Sequence, residues 1–179
     1  MGKGNLGARR SIALISLIAA GSIGAQPAPQ PSPDWKAWSP LFGTWTSDPS
    51  PDGSTGSFTL TPELQGRILV RRNRAEYPET KNRPAFRHED LMSIWQEAGV
   101  VRAQYWDNEG HVITYLATAD AASKTYVFVS DAATSRPRFR LTYRLATADA
   151  MSLAFEIAPP DTPDQFKPYL SATLHRAKK

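Results

Sequence analysis

Apolar and polar residues alternate in short segments along most of the chain, and turn-forming residues separate these segments. The alternation is clearest in residues 138–145, where Phe139, Leu141 and Tyr143 alternate with arginine and threonine. Residues 151–158 show the same pattern. Successive side chains of a β-strand point to opposite faces of the sheet, so the apolar set must face a core.

This pattern predicts about nine or ten short strands. Their spacing along the chain is typical of an all-β sandwich or barrel. The firmest hairpin turns at residues 107–110, because its final glycine adopts a positive φ at low cost. The predicted strands are residues 41–47, 57–61, 67–75, 91–96, 100–106, 111–118, 125–130, 138–145, 151–158 and 171–176.

Two short helical turns are predicted at the ends of the sheet. In residues 34–38, Asp34 caps one turn that lays Trp35 and Trp38 over the end of the sheet. Residues 164–169, which follow a proline-rich stop, form a second turn that covers one end.

Closure of the sheet removes the unpaired edges that a long run of antiparallel strands would otherwise expose. We therefore predict an all-β fold, an antiparallel up-and-down β-barrel of about nine or ten strands. A β-sandwich remains the alternative, because a glycine before Thr44 and Trp45 suits the first strand of either architecture.

The N-terminal residues 1–25 have the composition of a secretory signal peptide. Basic residues precede an apolar run at residues 12–20, and small residues follow it. The run is shorter than the roughly 20 residues that span a bilayer, so we expect no stable membrane anchor after cleavage. Residues 26–33 carry proline at alternate positions and predict an extended tether, which leaves residues 34–179 as a single domain. We expect a periplasmic or secreted protein.

Charge and cysteine content exclude several classes of function. The chain has a formal net charge of +4, of which the leader supplies three positive charges and no negative one. The remainder gives little attraction for nucleic acid, so we expect no nucleic-acid partner. The absence of cysteine excludes disulfides, thiolate metal sites and a cysteine nucleophile.

Residues of the first and last predicted strands resemble a known signature. Gly43, Thr44 and Trp45, together with Arg176, resemble the Gly-x-Trp and terminal Arg of lipocalin-like (calycin) barrels. The chain is also similar in pattern to small exported bacterial proteins of unknown function that share this plan. The resemblance implies that Arg176 packs across Trp45 beside the barrel floor, a cation–π contact that contributes about 0.5–2 kcal/mol.

No cofactor is predicted. The haem-binding nitrobindin barrels are a related comparison, because His175 lies near the C-terminus as their iron ligand does. The glycine-rich pattern that follows the first tryptophan of those proteins is absent here.

The leading functional hypothesis is a small-molecule-binding barrel whose ligand is partly apolar and anionic. Pockets are mostly apolar with a few fixed polar groups, and guanidinium groups offer paired donors to anions. Aromatic and basic residues on strand faces supply such groups, and the predicted ligand-binding residues are Trp45, Arg72, Arg74, Tyr105, His111 and Tyr115.

Two alternatives use other residues. An isomerase or hydrolase on the same barrel would use His88 as a base with Glu89 or Asp90. The same triplet predicts no metal site, because adjacent strand residues diverge. An envelope interaction protein would instead dock an acidic partner on a basic outer face, which includes Arg138, Arg140 and Arg144.

Overall fold

The structure, a computed structural model, describes residues 32–178 as a closed antiparallel β-barrel. The predicted signal peptide and the predicted tether up to residue 31 lie outside the described residues. Within residues 32–178, no helix is long and apolar enough to cross a membrane.

Ten strands form the barrel, and each pairs with its neighbours in the sequence. The barrel closes where β1 pairs with β10. The predicted up-and-down barrel is therefore confirmed, and the sandwich alternative is wrong. The strands are β1 (Gly43–Ser47), β2 (Thr55–Glu63), β3 (Ile68–Tyr77), β4 (Phe86–Glu97), β5 (Val100–Asp107), β6 (Val112–Asp120), β7 (Thr125–Ser130), β8 (Arg138–Leu145), β9 (Ala150–Ala158) and β10 (Lys167–Arg176).

Several strands are longer than the alternation predicts, and β4 and β10 differ most at their starts. β4 begins at Phe86, and the alternation misses its first residues because its inner face there carries His88 and Asp90 instead of apolar residues. β10 begins at Lys167, so the helical turn predicted for residues 164–169 is wrong. Pro168 is tolerated near the start of that strand, where the ladder is irregular.

The two ends of the barrel differ. We call the end where β1 begins and β10 ends the floor, and the opposite end the mouth. Aromatic side chains fill the middle of the lumen between them. The rings of Phe58 on β2 and Tyr143 on β8 lie 5.3 Å apart and so meet across the barrel. Tyr143 also meets Phe128 edge-on at 6.3 Å. This aromatic layer separates the floor from the mouth.

The floor is built from the contact that the lipocalin resemblance implies. Arg176 lies over the ring of Trp45, with its guanidinium carbon 4.3 Å from the ring centroid. The guanidinium also donates to the carbonyls of Phe42 at 2.6 Å and Pro40 at 2.9 Å. The indole N–H of Trp45 donates to Leu41. Arg176 therefore joins the last strand to the segment that leads into the first.

The N-terminal segment closes the floor, as predicted. Asp34 accepts a hydrogen bond from the backbone N–H of Lys36, and a 3-10 helical turn follows at Ser39–Leu41. Trp35 and Trp38 are both buried. The Trp38 ring contacts two aromatic rings of β7, those of Tyr126 and Phe128.

Gly43 is required for the floor, because its φ is +107° and an added Cβ would lie 3.2 Å from Nη1 of Arg176. We expect Gly43→Ala to lower the free energy of unfolding by about 1–3 kcal/mol, the usual cost of a strained backbone. Urea denaturation measures the loss. Gly66→Ala is the matched control, since Gly66 also has a positive φ but no atom within 4 Å of the added Cβ. Equal losses for the two variants would show that Arg176 is not displaced.

Candidate functional site

Polar side chains cluster on the inner face of three adjacent strands between the aromatic layer and the mouth. Strand alternation places Arg71 and Asn73 of β3 on this face, beside His88 and Asp90 of β4. Tyr105 and Asp107 of β5 continue the cluster. We call these six residues the polar wall.

A buried ion pair is the base of the polar wall. Arg71 donates from Nη1 to Oδ1 of Asp90, and their side chains are only 7% and 3% exposed. Asn73 donates to the other carboxylate oxygen at 2.9 Å. Burial opposes ionisation of Asp90, yet the positive charge of Arg71 and hydrogen bonds from His88 and Asn73 bring its pKa below the ordinary value. The pair is therefore charged at neutral pH.

His88 connects this ion pair to the mouth. Its Nε2 lies 3.2 Å from Oδ2 of Asp90 and 3.2 Å from the hydroxyl of Tyr105. Its Nδ1 lies 2.7 Å from Oε1 of Glu109. The hydrogen bond with Asp90 outweighs partial burial and raises the pKa of His88 to about 9. The imidazole is therefore positively charged at neutral pH.

Asp107 holds the outer end of the polar wall. Its carboxylate accepts hydrogen bonds from the Tyr105 hydroxyl at 3.1 Å and from the backbone N–H groups of Glu109 and His111. Nδ1 of His111 lies 2.8 Å from the same carboxylate. Burial opposes its ionisation, but these hydrogen bonds lower the pKa of Asp107 below its ordinary value.

Two buried polar atoms of the lumen, Nε of Arg71 and the hydroxyl of Tyr143, form no hydrogen bond of normal geometry among the described residues. Their two side chains interact with each other. Burial raises the pKa of Tyr143 to about 12, although the charge of Arg71 and its interaction with the hydroxyl oppose the shift. An unsatisfied buried donor or acceptor costs about 1–3 kcal/mol, so such atoms in native proteins call for a partner or an explanation. Here the two atoms provide a place for an additional polar group.

Aromatic side chains form the opposite wall of the mouth. The rings of Phe139 on β8 and Phe155 on β9 stack at 5.9 Å. Tyr169, which is exposed, meets Phe155 edge-on at 6.0 Å. The inner-face residues near the mouth remain partly accessible, in contrast to the buried aromatic layer: Asn73, His88, Tyr105, Ile113, Phe139 and Phe155. We call this part of the barrel interior, where the polar and aromatic walls face each other, the upper cup.

Three of the predicted ligand-binding residues lie away from the upper cup. Trp45 is fully buried at the floor beneath Arg176. Arg72 and Arg74 do not face the lumen, since both are exposed and pair with Glu63 and Glu76 respectively. β3 instead turns the face of Arg71 inward, because the carboxylate of Asp90 on β4 pairs with the Arg71 guanidinium there.

The other three predicted ligand-binding residues lie in or near the upper cup. Tyr105 belongs to the polar wall. Tyr115 is buried and meets Tyr105 edge-on at 6.5 Å, so it supports that ring from below. His111 is exposed at the rim, where it contacts Asp107.

The His88-Glu89-Asp90 triplet divides between the two faces of β4, as adjacent strand residues must. His88 and Asp90 belong to the polar wall, whereas Glu89 is exposed on the other face. The prediction did not include Arg71, Asn73 and Asp107. The residue spacing did not decide between the faces of this strand, since Arg71 and Asn73 share a face with Leu69 whereas Arg72 shares the other with Ile68 and Val70.

The outer surface carries the remaining predicted basic residues. Arg138 pairs with Asp164, and Arg140 forms a two-point ion pair with Glu156, whereas Arg144 is exposed. Arg140 and Arg144 also line a groove of about 430 Å³ on the outside of β7, β8 and β9. His175, considered as an iron ligand, lies on the outer surface beside Asp48.

One group of residues at the rim of the upper cup has the composition of a metal site. A nitrogen of His88 and one carboxylate oxygen each of Asp107 and Glu109 all lie within 4.8 Å of one another. Asp107 ends β5, Glu109 follows it in the β5–β6 turn, and His88 comes from β4. The pairing of β4 with β5 therefore brings them together, although they are distant in the sequence.

The raised pKa of His88 predicts a pH-dependent stability. The folded state holds this proton up to about pH 9, whereas the ordinary value is 6.5. The stabilisation is complete below pH 6.5 and is lost as pH rises through 9. We expect urea denaturation in metal-free buffer to show a falling free energy of unfolding across this window. His88→Gln should flatten the profile, and a variant that kept the wild-type slope would contradict the assignment.

Sequence comparison leaves the chain without a family assignment. No family model matches it, and no curated protein matches it either. The interpretation of the site therefore rests on its geometry.

Proposed function

We propose that this chain is an exported binding protein that holds a small, partly apolar molecule in the upper cup. The observation that carries the proposal is a buried polar network in which Nε of Arg71 and the Tyr143 hydroxyl lack hydrogen bonds of normal geometry to any described residue. Burying an ion pair is often no more stabilising than apolar packing, so a structural role gives little reason for it. A ligand that completes the hydrogen bonds of the ion pair provides such a reason.

The two walls of the upper cup suit a molecule with an apolar body and a polar end. Phe139 and Phe155 offer a stacked aromatic surface at one side. Tyr105, His88 and Asn73 present fixed polar groups at the other. Ligand pockets generally combine a mostly apolar lining with a few placed polar groups.

The charges of the polar wall and of Glu109 beside it change the expected ligand. Arg71 and His88 are the positive groups, and three carboxylates surround them: Asp90 and Asp107 of the polar wall, and Glu109. The exposed arginines that motivated an anionic ligand lie on the outer surface. Because the carboxylates outnumber the two positive groups, we propose that the bound molecule has a neutral or cationic polar end.

Native mass spectrometry of the full chain, produced with its leader and purified from the periplasm, tests this proposal. We expect a co-purified small molecule on the wild-type protein and its loss in Phe155→Ala, which removes one aromatic ring of the upper cup. Leu116→Ala is the matched control, since Leu116 is exposed on the outer face. An empty wild-type protein, or equal retention by both variants, would contradict the proposal.

The calycin relationship remains a separate proposal. The Trp45–Arg176 contact supports it, since it is the contact that the resemblance implies. The contact concerns the floor and gives no information about the ligand.

An enzyme that uses His88 with Asp90 is the second candidate function. The 3.2 Å distances from Nε2 to Asp90 and to the Tyr105 hydroxyl favour it, because acid–base chemistry requires groups within hydrogen-bond reach. Glu89 has no part in it, since it lies on the other face. Prolonged incubation of the co-purified molecule with wild-type protein and with His88→Gln tests this function. Conversion by the wild type alone would support it, and an unchanged mass in both would exclude it for that molecule.

A further inference from the structure

We propose that the rim of the upper cup binds a divalent first-row transition cation through His88, Asp107 and Glu109. The three residues lie between the lumen and the solvent, where an ion can enter without opening the barrel. The site is additional to the small-molecule site proposed above and does not depend on it.

The spacing of the donor atoms supports this site. One donor atom of each residue lies within 4.8 Å of the donor atoms of the other two. Donors bound to one zinc ion at about 2.0–2.2 Å lie closer to each other than 4.8 Å and farther apart than a hydrogen-bonded pair, so small side-chain shifts bring all three to the ion and leave a further position for water. Nδ1 of His88 is already 2.7 Å from Oε1 of Glu109. A cation between them would replace the proton that this contact now shares.

Asp90, which lies outside the donor set, orients the ring of His88 in the way that carboxylates usually orient metal-bound histidines. Such histidines donate their second ring N–H to a carboxylate, which fixes the ring and increases the basicity of the ligating nitrogen. Asp90 lies 3.2 Å from Nε2 of His88 and is itself held by Arg71 and Asn73. This leaves Nδ1 directed to the rim. The buried ion pair thus supports a histidine in the geometry of a ligand.

The electrostatics also favour a cation. Asp107 and Glu109 bring two negative charges to the set, and Asp90 is balanced by Arg71. Glu109 is 44% exposed, so its carboxylate can adjust when the ion enters. One imidazole and two carboxylates suit zinc, manganese or ferrous iron, with open positions for water or another ligand.

Isothermal titration of chelator-treated protein with Zn²⁺ tests the proposal. We expect one equivalent to bind to the full chain, with an affinity at least tenfold lower in Glu109→Gln, which loses one of three ligands. Glu89→Gln is the matched control, because its carboxylate is exposed on the outer face of β4, the strand of His88, and it should bind as the wild type does. Equal binding by the wild type and both variants, no binding, or several weak equivalents would each overturn the site.

Asp90→Asn provides a second test that concerns the support of His88. It should weaken zinc binding by about 10–100-fold, the usual effect of removing an outer-shell partner. The absorption spectrum of bound Co²⁺ reports the ligand geometry, and we expect it to change in Asp90→Asn and to stay unchanged in Glu89→Gln. Because Asp90→Asn also affects folding, its affinity is measured where circular dichroism shows the barrel intact. A wild-type affinity in that variant would contradict the proposed support.

Discussion

Replacing Arg71 with methionine lowers the free energy of unfolding by about 3–5 kcal/mol, because it leaves the buried carboxylate of Asp90 without its positive partner. The loss of one member of a buried pair is costly even where the pair as a whole adds little. Arg72→Met is the matched control, one residue away on the same strand. Arg72 is 57% exposed and lies 3.6 Å from Glu63. Its replacement is expected to change stability by less than about 1 kcal/mol, as for other exposed pairs.

The double variant Arg71→Met with Asp90→Leu tests the reason for this effect. Removing both charges leaves no buried carboxylate without its Arg71 partner, so the double variant should be more stable than Arg71→Met alone. Urea denaturation of the wild type, both single variants and the double variant gives the coupling energy directly. If the two single losses were additive, the ion pair would not be coupled and the proposed base of the polar wall would be wrong.

Replacing Trp45 with alanine lowers the free energy of unfolding by about 3–5 kcal/mol, the range for a large aromatic side chain removed from a core. Trp45 has no exposed surface. The substitution also removes the contact of its ring with Arg176 and the hydrogen bond from its indole N–H to Leu41. Trp106→Ala is the control, since Trp106 on the outer face of β5 is 41% exposed. Trp106→Ala should lower the free energy of unfolding clearly less than Trp45→Ala does, as measured by thermal and urea denaturation.

The result for Arg176→Met separates the parts of the floor. This variant keeps the Trp45 ring buried but removes the guanidinium and its hydrogen bonds to Phe42 and Pro40. Its loss should therefore lie between the losses of Trp106→Ala and Trp45→Ala. A loss equal to that of Trp45→Ala would show that the guanidinium carries the whole stability of the floor.

The strands could be predicted from the sequence wherever the inner face of the strand carries only apolar residues. β7 and β8 begin and end where the alternation of residues such as Phe139 and Leu141 predicts. The floor was accessible through the resemblance to lipocalin-like barrels, which implies the contact of Arg176 with Trp45. The prediction failed at β4, whose inner face carries His88 and Asp90. A polar residue on an inner face contradicts the very pattern that identifies a strand.

The candidate site was accessible only in part for the same reason. Tyr105 and His111 follow from the firmest hairpin, which fixes the faces of β5 and β6. On β3, Arg71 and Arg72 have the same chemistry, so the residue types do not show which one faces inward. The answer depends on Asp90, a residue of the next strand that pairs with Arg71 inside the barrel. Pairing between strands is a long-range property, which one sequence does not contain locally.

The seam between β1 and β10 has a consequence for how the chain reaches its native state. Every other strand pair joins sequence neighbours, so each can form as a hairpin soon after its residues have been synthesised. The seam instead joins Trp45 to Arg176, across almost the whole domain. Contacts of such long sequence separation form slowly, because closing the loop costs entropy before the contact repays it. Until β10 arrives, β1 and the growing last strand both expose open edges, and this interval is when the chain is most prone to aggregate.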